Sequence, residues 1–157
     1  MKKFLIMSII SLNLLASKIE PYIVGGLSTS HLFEEDKEVL NEHNNLIGIG
    51  FEYKKYELTY LNFDNSLYQK TNAILIRKNI DMKWNLSYNY GVAFTKGYTK
   101  NYVFTKNGVN YKAPNSFVLY KDYGIIPTIG LTYNTKHIDL NCDLFGNALI
   151  TSIKYKF

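Results

Sequence analysis

The chain has 157 residues, the length of one domain, with 46% apolar and 15% aromatic residues, three prolines and one cysteine. That composition excludes a disordered chain, a collagen and a disulfide-stapled scaffold. The formal charge of +5 (18 Lys+Arg against 13 Asp+Glu) becomes +3, 16 against 13, once Lys2 and Lys3 are assigned to a leader. With no basic stripe, this excess argues against a nucleic-acid partner.

The leader is the first element in chain order. Met1-Lys2-Lys3 is a cationic start, Phe4 to Leu15 an apolar run broken only by Ser8, Ser11 and Asn13, and Ala16-Ser17 a small-residue close. This is the pattern of a secretory signal peptide over 1–17, leaving 18–157 as the mature domain. The run is too short to span a bilayer as a helix, and no cysteine follows it to carry a lipid. The lone Cys142 has no intramolecular partner, so an exported fold must be stabilised by another device, such as barrel closure.

Beyond the leader, apolar and polar residues alternate with the period of a strand. Four segments show it plainly: 46–53, 83–95, 137–144 and 148–157. In the second, Trp84, Leu86, Tyr88, Tyr90, Val92 and Phe94 share one face, opposite Lys83, Asn85, Ser87, Asn89, Gly91 and Ala93. Weaker strands fit at 21–32, 56–63, 69–78 and 124–134, making eight. Most of the longer connections (33–45, 64–68, 96–123) follow odd strands, and the short ones (54–55, 79–82, 134–136) follow even strands. An even strand count with long loops at one end and short turns at the other is the plan of an outer-membrane barrel.

Alternation alone also fits a secreted β-sandwich with its apolar face packed inside. Three features favour the membrane: the leader, Tyr and Trp toward strand ends as in interfacial girdles, and a last strand ending in Phe157 with apolar residues at every second position. The fold class expected is therefore all-β: an eight-stranded antiparallel up-and-down transmembrane β-barrel. Its inward set includes Glu52, Glu57, Lys83, Asn85, Asn89, Asp139, Asn141 and Asp143. Pairing among such charges would plug a barrel this narrow, so no pore is expected. Inward Gly48, Gly50, Gly91, Ala93 and Gly130 either leave room for an acyl chain or let opposed large residues fit the taper.

His31 closes the first strand and Asp64-Asn65-Ser66 follows the third, which puts both on the loop-bearing rim. A histidine beside a serine, with a further group to orient the imidazole, is what activation of a hydroxyl for acyl transfer requires. His31, His43 and His137 have no metal-ligand spacing to one another or to Cys142. Gly25-Gly26 sits inside a strand and is no phosphate loop. No metal and no cofactor is expected. The acidic run Glu34-Glu35-Asp36 reads as a solvated loop, or as a contact to divalent cations on lipopolysaccharide. The loop 96–123, with five lysines and five tyrosines, reads as a solvated loop or as a surface for anionic sugar phosphates.

Several stretches resemble PagP, the outer-membrane enzymes that transfer a palmitoyl chain from phospholipid to lipid A. They are Ser28-Thr29-Ser30-His31 ending the first strand, Asn41-Glu42 in a charged loop, the Gly-alternating Ile47-Gly48-Ile49-Gly50-Phe51, and Phe63-Asp64-Asn65-Ser66 where the family has Phe-Lys-Asp-Ser. Gly91-Val92 and the aromatic C-terminus complete them. The resemblance implies catalysis by His31 and Ser66, with Asn65 or Asp64 orienting. The family's aspartate position is Asn65 here, Asp64 falls one residue early, and only Lys18 to Glu20 stand where the family has an amphipathic helix. Two functions stay open: an acyltransferase on lipid A, or a non-catalytic barrel working through its outer loops. Either implies a monomer in the bacterial outer membrane. Its partners would be phospholipid and lipopolysaccharide, with barrel-assembly machinery engaged through the strand ending in Phe157.

Overall fold

The computed structural model describes residues 19–32, 39–99, 101–112 and 118–157. The leader, Glu34-Glu35-Asp36 and Lys100 lie outside the described residues. Strands run β1 (Ile19–His31), β2 (Ile47–Tyr53), β3 (Tyr56–Asp64), β4 (Lys70–Asp81), β5 (Leu86–Lys96), β6 (Val103–Lys106), β7 (Val109–Lys112), β8 (Val118–Tyr120), β9 (Tyr123–Tyr133), β10 (Ile138–Phe145) and β11 (Ala148–Lys156). Eight of them, β1 to β5 and β9 to β11, pair antiparallel with their neighbours. The β11–β1 and β9–β10 pairings close the ring. Closure leaves no unpaired sheet edge, which lets a β-structure lie in hydrocarbon.

The side chains are sorted as a bilayer demands. The exterior presents Ile23, Ile49, Ile74, Phe94, Ile129 and Leu140, all exposed, while Glu57, Arg77, Asn89, Asp139, Asn141, Asp143 and Lys154 are buried inside. A water-soluble protein shows the reverse preference. Tyr56, Tyr88, Tyr123 and Tyr133 are exposed near strand ends, where amphipathic rings settle at a membrane interface.

The lumen has two zones. The half toward the short turns holds an ion-pair network centred on Glu57. Arg77 Nη2 donates to Glu57 Oε2 at 2.6 Å and Arg77 Nη1 to Asp143 Oδ2 at 2.7 Å. Lys154 Nζ contacts the other Glu57 oxygen and lies 3.3 Å from Asp139 Oδ2. Asn79 Nδ2 donates to the same Glu57 oxygen at 2.8 Å, and Tyr22 donates its hydroxyl to Glu57. A neutral relay runs beside it: Asn89 Nδ2 to Thr132 Oγ1 at 3.2 Å, Thr132 to Asn141 at 2.9 Å, Asn141 to Ser152 at 3.2 Å. The half toward the long loops is apolar, with Leu61, Phe63, Ala73, Leu75, Ile126 and Ile150 packed together. At Gly91 and Gly130 the small residues serve the taper: an added Cβ would meet Arg77 Cγ at 2.9 Å and Asp143 Oδ1 at 2.0 Å.

Two expectations need correction. Lys83 and Asn85 do not line the lumen; with Trp84 they form an exposed turn, and Trp84 and Asn85 both have φ of 59°. The strand alternation there begins only at Leu86. The segment 96–123 is not a plain loop, because β6 and β7 form a hairpin and β8 extends the sheet beside β9. Asn107 and Gly108 turn the hairpin with φ of 52° and 77°, the positive values that a two-residue type I′ turn requires.

Removing Arg77 leaves buried carboxylates short of a cation, and breaking such a pair costs about 3 kcal/mol or more. Arg77→Ala should therefore lower the urea stability of the micelle-folded barrel by about that amount, with Arg77→Lys intermediate. Trp84 fluorescence, the sole tryptophan signal, follows the transition.

Candidate functional site

A bulge in β1 decides where His31 points. Against β11, Gly26 pairs with Ser152 but Ser28 pairs with Thr151, so one extra residue enters at Leu27. Strict alternation from Tyr22 and Val24 would turn positions 28 and 30 inward. The extra residue instead buries Thr29 and His31, as expected when a bulge re-aims the side chains beyond it.

His31 Nε2 lies 2.9 Å from Ser66 Oγ. On the other side of the ring, Glu42 Oε1 is 4.0 Å from Nδ1 and accepts a 3.4 Å bond from the His31 backbone N–H. The segment holding Glu42 is fastened to the Ser66 loop by backbone bonds from Asn41 N to Ser66 O at 2.9 Å and from Asp64 N to Asn44 O at 2.6 Å. Asn41 and Asn44 also bond the backbone of His43 and Leu46, two residues ahead of each, forming the local turns that short amide side chains favour.

The other two candidate residues are engaged elsewhere. Asn65 is buried, and its Oδ1 accepts from Leu67 N at 2.8 Å and Gln69 N at 3.0 Å. Its Nδ2 donates to Thr71 Oγ1 at 2.9 Å and to Gly97 O at 3.2 Å. It ties the β3–β4 loop to the start of the next long loop. Asp64 faces outward, 2.7 Å from Lys70 Nζ and 2.8 Å from Asn45 Nδ2. The structure thus brings His31 and Ser66 together and sets Glu42, not Asp64 or Asn65, beside the imidazole. Were the Ser66 hydroxyl to attack an acyl carbonyl, His31 would take its proton and the Glu42 charge would hold the resulting imidazolium.

Ser66 borders a cavity of about 80 Å³ lined by Leu40, Phe63, Leu67, Tyr98, Phe145 and Ile150 among others. The next void inward, beside Tyr22 and Arg77, is about 20 Å³. Over the mouth, Phe104 of β6 packs with Leu40 and Leu67 and stacks on Tyr111 of β7 at 5.7 Å between centroids. Tyr98 reaches into both apolar clusters, and burial pushes its hydroxyl pKa up.

No family model matches the sequence, and no curated protein matches it. Among solved structures, the outer-membrane protein Ail of Yersinia pestis in a phospholipid nanodisc aligns with a TM-score of 0.50 and 10% identity, over 88% of this chain and 99% of that one. The fold is that of the eight-stranded outer-membrane barrels. Neisserial surface protein A aligns with a TM-score of 0.43 and 12% identity, over 88% and 96% of the two chains. The N-terminal barrel domain of Pseudomonas aeruginosa OprF gives 0.44 and 10%, over 87% and 97%.

Four hydrogen bonds converge on the buried Asn65 side chain. Asn65→Ala should destabilise the barrel by about 2 kcal/mol, whereas Ser66→Ala should cost less than about 1 kcal/mol. Urea unfolding of both variants in micelles makes the comparison.

Proposed function

We propose that the protein is an outer-membrane barrel of the bacterial envelope that acts through its loop-bearing end, as an adhesive or protective surface protein without chemistry of its own. The observation that carries this reading is the closed interior. The ion-pair network crosses one half of the lumen and the cavity by Ser66 measures about 80 Å³, which supports work at the loop-bearing rim over a pore or an internal acyl-chain site. What projects is the β6–β7 hairpin, with Val103 and Val109 exposed and Lys106 over the Tyr68 ring at 5.9 Å. The barrel fold shared with Ail supports the outer-membrane location. On this reading, deleting 97–115 abolishes the surface phenotype of cells carrying the gene, while His31→Ala and Ser66→Ala leave it intact. Cell-attachment and serum-survival assays provide the readout, and loss of the phenotype in the point variants would reject it.

A second reading is favoured by one observation, the 2.9 Å contact of His31 and Ser66. Here the barrel is an acyltransferase similar to PagP, moving a fatty acyl chain from phospholipid to lipid A, with the chain held outside the lumen. Mass spectra of lipid A from cells with and without the gene would then differ by one acyl group. Ser66→Ala would erase the difference, and Glu42→Gln would reduce it about tenfold or more, the range of a group that assists proton transfer.

A further inference from the structure

The rim opposite the candidate site carries a continuous cationic band. Lys54 and Lys55 form the β2–β3 turn, Lys78 lies on the outward face of β4, Lys83 is in the β4–β5 turn and Lys136 in the β9–β10 turn. Two backbone bonds tie parts of this arc: Asn79 N on β4 bonds Lys55 O of the β2–β3 turn at 2.7 Å, and Asn134 N of the β9–β10 turn bonds Asn85 O of the β4–β5 turn at 2.7 Å. Two exposed acids share this end: Asp81, 3.4 Å from Lys55, and Glu20 at the start of β1. Glu20, at the same end, shares the lumen-facing side of β1 with Tyr22 and pairs across to Glu52.

The band sits just beyond an aromatic fringe. Lys54 Nζ lies 5.2 Å from the Tyr53 ring centroid and Lys78 Nζ 5.8 Å from that of Tyr56. Trp84, next to Lys83, is 85% exposed and Met82 is also exposed. Aromatic rings mark the headgroup level of a bilayer and lysines beside them extend to the phosphates.

We propose that this rim is a binding surface for anionic phospholipid headgroups, those of phosphatidylglycerol type, in the leaflet the short turns face. The inference rests on the membrane-barrel reading and adds the lipid class that one end selects. Charge complementarity carries it: five lysines against two exposed acids, one of them paired, at the depth where phosphates lie. Lysines near a membrane surface each add to the attraction for anionic lipid, and the effect decays within a Debye length.

Trp84 supplies the probe. The full-length barrel is folded into phosphatidylcholine vesicles containing an equal small fraction of either brominated phosphatidylglycerol or brominated phosphatidylcholine. Quenching of Trp84 by the anionic lipid should exceed that by the zwitterionic one at least twofold at low salt. The excess should vanish in 0.5 M salt and in the quadruple variant Lys54→Gln, Lys78→Gln, Lys83→Gln, Lys136→Gln. Equal quenching by the two lipids, or a preference that survives salt or the quadruple variant, overturns the proposal. The salt arm uses the unmodified protein, so it decides even if the variant fails to fold. No quenching by either lipid would instead reject the membrane embedding itself.

Discussion

Everything in the barrel depends on neutralising the carboxylate of Glu57. It is buried in the lumen between β4 and β11, and it accepts from Arg77, Lys154, Asn79 and Tyr22. A narrow ring of strands whose outer surface belongs in hydrocarbon must place its charges inside, where an unpaired charge is costly. Arg77 and Lys154 then hand the problem on to Asp143 and Asp139 on β10. Five strands, β1, β3, β4, β10 and β11, are thereby fastened across the lumen. This filling separates a plugged barrel from a channel, and it confines any chemistry to the loop-bearing end.

That end is organised by amides rather than charges. Asn41, Asn44 and Asn65 each bond backbone within two residues, and Asn65 adds a bond to Gly97. The result is a rim in which the segments after β1, β3 and β5 hold one another, with Ser66, His31 and Glu42 at their junction. The Phe104 and Tyr111 stack lies over the same junction. A rim this tightly tied is a firm platform for the projecting hairpin, and it also explains why so little empty volume remains beneath.

The eight wall strands were legible because alternation is a backbone period that survives any choice of side chain. The predicted 124–134 and 137–144 became Tyr123–Tyr133 and Ile138–Phe145. What escaped the reading has local causes. Arg77 follows the unbroken apolar run Ala73 to Ile76, where both faces look alike and the inward cation is hidden. The Trp84 turn mimics a strand because its side chains continue the alternation while its backbone does not. The hairpin within 96–123 had a usable signal in Asn107-Gly108, the strongest short turn pair. Glu42 shows only as part of the Asn41-Glu42 stretch of the PagP resemblance: it reaches His31 because its neighbours Asn41 and Asn44 clasp the 64–66 loop, a contact between segments far apart in sequence. The strand order puts His31 at a strand end, but its inward turn comes with an extra residue that alternation cannot reveal.

That extra residue gives β1 an unusual hereditary logic. Below Gly26 the strand obeys one phase and above it the opposite phase, so the histidine and the membrane-facing half of the same strand are not free to drift independently. Losing the codon at position 27 would straighten the strand and still leave His31 opposite Ala148 and facing inward, because strict alternation from Gly26 then reaches it in phase. A descendant could therefore shed the kink in one mutational event and keep the His31–Ser66 pairing.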